Sequence, residues 1–171
     1  TRLGNISTPM RDRFGAIFRL DFYQKNEIFK ILKRTASILE MNVQDDALTE
    51  IAGRSRGTPR IANRVLKRVR DFAQVKNVKE ISLEDARSSL DSIGIYENGL
   101  ENMDRKILKN LIVNYNGGPT GGKSLAISIN EDIQTIEDVY EPYLIKEGFI
   151  ERTSRGRIAT DKAYALFDLK K

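Results

Sequence analysis

Neither cysteine nor histidine occurs in the 171 residues. Without cysteine there are no disulfides and no thiolate metal sites, which fits a reducing compartment. Without histidine, imidazole-based triads and imidazole metal sites are excluded as well. No apolar run approaches the roughly 20 residues that a membrane span needs, and no secretory signal is visible. Only four prolines punctuate the chain.

What is present is enough for a folded core. Hydrophobic residues make up 40% and charged residues 31%, a globular composition that allows one domain or two small ones. The net charge is +5, and its distribution is more informative than its size. Arg54, Arg56, Arg60, Arg64, Lys67, Arg68 and Arg70 form a run uninterrupted by any acid. Such a stripe suits nucleic acid or phosphate; the plainer reading is a solvated helix face. The first residue is Thr1 rather than a start methionine, and the opening "TRLGNISTPMRDRFG" is expected to continue a longer chain.

Hydrophobic periodicity predicts the elements. "FGAIFRLDF" has strand-like content around Ile17, Phe18 and Leu20. Four helices should follow. The first carries Ile28, Ile31, Leu32, Thr35 and Leu39 at helical spacing. The second, "QDDALTEIAGRS", is acidic at its start, as the helix dipole prefers. The third begins near Pro59 and carries Ile61, Val65, Leu66, Val69, Phe72 and Ala73 on one face. The fourth is capped by Ser82 with Asp85. "SIGIYENG" reads as a linker broken by Gly94 and Gly99. Three more helices are predicted after it, in "LENMDRKILKNLIVNYN", "SLAISIN" and "TIEDVYEPYLIKEG". The last of these is capped at Thr135, kinked by Pro142 and stopped by Gly148. A hairpin over "FIERT", "SRG" and "RIAT" and a final helix after Thr160 complete the winged-helix order.

"GGPTGGKS", Gly117 to Ser124, fits the phosphate-loop pattern letter for letter. That loop works only between a strand and a helix, where several N–H groups converge on one anion. The residues before Gly117, "KILKNLIVNYN", have helical spacing, so the segment is read as a Gly-Pro turn between helices.

"PMRDRFG", "GTPRIANRVLKRVRDFA", "MDRK", "GGPTG", "TIEDVYEPYLI" and "RTSRGRIAT" together resemble the RuvB family of bacterial Holliday-junction branch-migration ATPases, over essentially the whole chain. One departure is the Gly-Lys-Ser after "GGPTG", which the family usually lacks and which creates the phosphate-loop match. The resemblance implies a mainly α fold: a four-helix AAA+ lid domain followed by a winged-helix domain with a β-hairpin wing. It places residues 1–20 at the end of the large ATPase domain, 21–95 in the lid and 96–171 in the winged helix. The family's own phosphate loop and Mg²⁺-binding acidic strand are then expected before Thr1, and this fragment alone is expected to be inactive.

The implied function is an ATP-driven, hexameric-type motor that translocates duplex DNA in recombination and repair. The cofactors are ATP or ADP with Mg²⁺. The partners are duplex DNA at Holliday junctions, a RuvA-type junction-binding protein reached through the ATPase domain, and further copies in a ring. No membrane is involved, and the location is cytoplasmic, near the nucleoid. By the same resemblance Arg13 is the arginine finger supplied in trans and Arg60 is sensor 2. Tyr23 and Pro59 flank the adenine, and Thr1, with Arg2, closes the sensor-1 stretch. Arg152, Arg155 and Arg157 surround the hairpin turn, where cations bind phosphates without reading bases. Glu137, Asp138 and Glu141 on the preceding helix should repel a DNA backbone, so the wing is expected to grip DNA in its place. The competing readings are a winged-helix transcription regulator with a helical interaction domain and a non-catalytic interaction module.

Overall fold

The computed structural model describes residues 7–11, 13–15, 18 and 21–170. The expected class is the one observed: among the described residues the chain is mainly helical, with one two-stranded antiparallel sheet. After a short turn of helix, α1 (Thr8–Arg11), come α2 (Lys25–Ile38), α3 (Asp45–Gly53), α4 (Pro59–Val75) and α5 (Leu83–Ser92). The strand expected near Ile17 and Leu20 falls largely outside the described residues; Phe18 lies in irregular backbone and is 85% exposed.

The four helices bury the stripes their periodicity announces. Ile28, Leu32 and Ala36 of α2 pack with Leu48 and Ile51 of α3, Val65, Leu66 and Val69 of α4, and Leu90 of α5. Pro59 occupies the first turn of α4, where its missing N–H costs nothing. The α2–α3 and α4–α5 connections are tied by a single bridge between Val43 and Ile81, with Ile81 N–H donating to the Asn42 carbonyl at 2.9 Å. Ser82 and Asp85 form the predicted capping box. The Ser82 hydroxyl accepts from Asp85 N–H at 3.2 Å, and the Asp85 carboxylate accepts from Ser82 N–H at 3.1 Å.

The segment between the two halves is no loose linker. Ile95 belongs to the first core, and Leu100 to a second one. Between them runs a 3₁₀ turn, Glu97–Gly99. Gly99 has φ +66°, and a Cβ there would sit 2.7 Å from the Arg54 carbonyl oxygen. Glycine is required here for close approach as well as for backbone conformation.

The second core is built by α6 (Asn102–Tyr115), α7 (Gly122–Ile129) and α8, which runs through three consecutive pieces: Ile133–Thr135, a π-helical Ile136–Tyr140, and Glu141–Lys146. The start of α8 differs from expectation. Asp132, not Thr135, caps it, its carboxylate accepting from Gln134 and Thr135 N–H. Pro142 is absorbed by the π stretch, in which Glu141 N–H reaches back to the Ile136 carbonyl. The extra residue per turn relieves the clash a proline ring makes inside an α-helix. Strands β1 (Ile150–Thr153) and β2 (Gly156–Ala159) pair with Ile150 opposite Ala159 and Arg152 opposite Arg157, and α9 (Asp161–Ala165) starts at its Thr160 cap. Among the described residues no helix is long and apolar enough to cross a membrane.

Ser82→Ala is expected to destabilise the first core by about 1 kcal/mol in urea unfolding. The Ser82 hydroxyl and backbone N–H hold the Asp85 carboxyl below the usual carboxylate range. A depressed folded-state pKa stabilises above the unfolded carboxyl value and ceases to do so as pH falls through the folded one. The difference between parent and variant should therefore narrow in acid.

Candidate nucleotide and nucleic-acid interfaces

The start of α4 gathers three of the expected nucleotide-site residues. Tyr23 N–H donates to the Gly57 carbonyl at 2.9 Å, two residues before Pro59 and three before Arg60. Gly57, at φ +67°, permits the crossing, since a Cβ would sit 2.7 Å from the Tyr23 carbonyl oxygen. Tyr23 is 48% exposed and Arg60 is exposed. The first turn of α4 contains no acid, so the positive helix end and the Arg60 guanidinium reinforce one another. That arrangement fits a nucleotide's phosphates, with the Tyr23 ring available to a base. For Mg²⁺ the described residues offer no cluster of acidic side chains. Arg13 lies in an exposed turn, its N–H donating to the Met10 carbonyl at 3.3 Å. Thr1, Arg2 and the Asp12 beside Arg13 are outside the described residues.

"GGPTGGKS" is not a phosphate cradle. A helix, α6, and not a strand leads into it, and the N–H groups of Gly117, Gly118 and Thr120 are already engaged. Gly117 donates to the Leu111 carbonyl at 2.9 Å, Gly118 to Tyr115 at 2.9 Å and Thr120 to Arg157 at 3.0 Å. Arg157 N–H returns a bond to the Thr120 carbonyl at 2.9 Å, so the loop adds a one-residue rung to the hairpin at β2.

The wing arginines divide into two kinds. Arg155 is exposed in the turn, its N–H donating to Thr153 Oγ1 at 3.3 Å, and no ion pair among the described residues reaches its guanidinium. Arg152 is half exposed, 3.2 Å from Glu137 and 3.6 Å from Glu141. Arg157 is turned inward, only 6% exposed. Its Nε donates to Glu141 Oε1 at 2.5 Å and its Nη2 to Glu137 Oε1 at 2.6 Å. Burial pulls this guanidinium's pKa down, but the hydrogen bonds and charges of Glu141 and Glu137 outweigh burial and hold it above its ordinary value. Grouping Arg157 with the phosphate-facing cations is therefore corrected: its guanidinium is buried, with Nε and Nη2 committed to two carboxylates. The expected repulsion by Glu137 and Glu141 is corrected as well. Glu141 is 1% exposed, and both carboxylates are neutralised by arginines of the wing.

Two residues take a part here that the sequence did not announce. Glu141 anchors Arg157, and Gly122 makes room for it: a Cβ on Gly122 would sit 2.6 Å from Nη1 and 2.9 Å from Cζ. The signal was in the hairpin register. Arg152 opposite Arg157 puts like charges on one face of a ribbon, which is unfavourable unless acids cover them.

Arg157→Ala leaves the Glu141 carboxylate buried without its hydrogen-bonded partner. It should cost the C-terminal half about 3–5 kcal/mol in denaturant unfolding. Arg155→Ala, at an exposed turn, should stay within about 0.5 kcal/mol of the parent.

The comparisons with known proteins agree with the fold. The family model of the RuvB AAA lid domain matches residues 23–96, and that of the RuvB C-terminal winged helix domain matches residues 97–168. The Holliday junction branch migration complex subunit RuvB of Fusobacterium nucleatum is 49% identical over 167 residues, 98% of this chain and 50% of the relative. Its counterpart in Oleidesulfovibrio alaskensis is 52% identical over 169 residues, 99% of this chain and 53% of the relative. The solved structure of the Thermotoga maritima RuvB Holliday junction branch migration motor matches with a TM-score of 0.90 at 45% identity, covering 98% of this chain and 56% of that one. The chain thus spans about half the length of the curated relatives it matches. Two adjacent family-specific domains, in the family's order and with its fold, place this chain in the RuvB family.

Proposed function

We propose that this chain is the lid and DNA-gripping part of an ATP-driven ring motor that translocates duplex DNA and moves Holliday junctions during recombination and repair. The observation that carries the reading is the division among the wing arginines. One is buried as a strut, which holds the hairpin rigid and leaves Arg155 at the tip with Arg152 beside it. Exposed guanidinium groups on a rigid turn bind phosphates of any sequence, as a translocating protein must.

The nucleotide end of the reading rests on Arg60, Tyr23 and Pro59 at the start of α4, with Arg13 in its exposed turn. ATP supplies the free energy through cleavage of its terminal phosphate, and Mg²⁺ is held mostly by the family's ATPase core. Arg60 senses the terminal phosphate of nucleotide bound beside the lid, and Tyr23 and Pro59 flank the base. Arg13 reaches a neighbouring subunit's nucleotide and stabilises charge that builds up as the phosphoryl group leaves. Thr1 belongs to the same site in the longer protein. The names of the relatives describe subunits of a Holliday junction branch migration complex. By extension this chain's partners are junction DNA, a RuvA-type protein and further copies in a ring, in the cytoplasm near the nucleoid.

Fluorescence anisotropy with unrelated duplexes tests the grip. Arg155→Ala should weaken all of them by a similar factor and make the log–log salt slope shallower by about 0.9. Unchanged affinity removes the wing from the function, and preference for one duplex favours a transcription regulator. In the longer protein that carries the ATPase core, Arg13→Ala should lower ATP turnover by about 10³-fold or more, while the 171-residue chain alone should turn over none.

A further inference from the structure

A residue so far given no function bridges the two domains through several groups at once. Arg56 lies in the α3–α4 loop with φ +54°, a left-handed conformation uncommon outside glycine. Its side chain crosses to the C-terminal domain. Nε donates to the Gly99 carbonyl at 2.8 Å, and Nη2 donates to Asp104 Oδ2 at 2.5 Å. The guanidinium lies over the Tyr143 ring, 4.4 Å from its centroid, and Glu101 is 3.8 Å away. Asp104 is wholly buried, and the same Oδ2 accepts from Glu101 N–H at 2.7 Å, which caps α6. Tyr143 in turn donates its hydroxyl proton to the Asn98 carbonyl.

Domains joined by a modest interface move relative to one another by default. Here a planar cation engages a carbonyl, a buried carboxylate and an aromatic face at once, a combination that fixes orientation as well as separation. Arg56 is four residues from Arg60, at the nucleotide end of α4. Tyr143 lies on α8, two residues from Glu141, which anchors the wing through Arg157.

We propose that Arg56 is a positioning residue, the pin that locks the C-terminal domain to the helical domain so that a displacement of the lid reaches the wing undiminished. The mechanical consequence rests on the motor reading above; the pin itself does not. Because the chain has no cysteine, Lys30→Cys on α2 and Lys109→Cys on α6, both exposed, give two unique spin-label sites. Pulsed electron–electron resonance should show one narrow distance distribution for the doubly labelled parent. That single peak should be lost in Arg56→Ala. It should be lost also in Arg56→Lys, whose one ammonium cannot serve Gly99, Asp104 and the ring together. Arg64→Ala, which removes only a 3.8 Å rim contact to Glu101, should keep the peak. Amide spectra with both cores still dispersed establish that each variant is folded. A parent with a broad distribution, or an Arg56→Ala variant as narrow as the parent, overturns the pin. In the longer protein, Arg56→Ala should slow junction movement about tenfold or more, a typical coupling between sites, with DNA affinity and ATP turnover kept. Equal loss of turnover and movement overturns the coupling function. A parent that moves no junction at all removes the motor reading, and the distances then decide on the pin alone.

Discussion

A guanidinium taken out of water has to meet a carboxylate, and the C-terminal domain is arranged around that requirement at Arg157. Desolvating the charge costs several kcal/mol, and only hydrogen bonds to Glu141 and Glu137 offset it. Several neighbouring features follow from the pair. Gly122 must lack a side chain because the guanidinium passes over it, and Gly118 must lack one because the Arg157 carbonyl is there. The loop that resembles a phosphate cradle wraps an arginine of its own chain instead. α8 turns Glu137 and Glu141 toward the wing, so two of the acids that look hostile to DNA in the sequence are neutralised where the wing meets the helix.

The same device recurs between the domains. Arg56 enters a buried carboxylate, Asp104, whose pKa is raised by burial despite the opposing pull of the Glu101 N–H and the Arg56 charge. Both buried pairs involve α6 or α8, the helices that also form the apolar core with Leu111 and Leu144. Tyr143, its phenol pushed up to about 12 mainly by burial, keeps its proton and remains a donor to the turn between the domains. The π stretch before Glu141 has a place in this arrangement. It lets one helix accommodate Pro142 while it presents Glu141 to the wing and Tyr143 to Arg56.

Much of this was legible along the chain. The faces of α2, α4 and α6, the Ser82 capping box, the hairpin and the final helix after Thr160 depend on neighbours within a few residues or on a strict period. Local hydrogen bonds and amphipathic spacing are properties of a segment, so a segment reveals them. The candidate nucleotide residues were named by resemblance, and burial at the start of α4 leaves Tyr23 and Arg60 accessible. What was missed was of two kinds, a choice between neighbouring caps and a contact between distant elements. Asp132 displaced Thr135 as a cap because two orphan N–H groups at Gln134 and Thr135 needed its carboxylate. Arg157 was grouped with Arg155 because adjacency in sequence says nothing about which strand face a side chain takes relative to a helix 16 residues earlier.

By itself, then, the sequence determined the helical and strand segments, their order, the absence of thiol and imidazole chemistry, and the positions at which arginines gather. Tertiary structure decided which of those arginines face solvent. A cation's availability depends on whether a carboxylate from another element lies within reach, and composition carries no such information. Arg155 and Arg157 have the same side chain two residues apart; only the approach of α8 and the glycine loop separates an exposed cation from an internal strut.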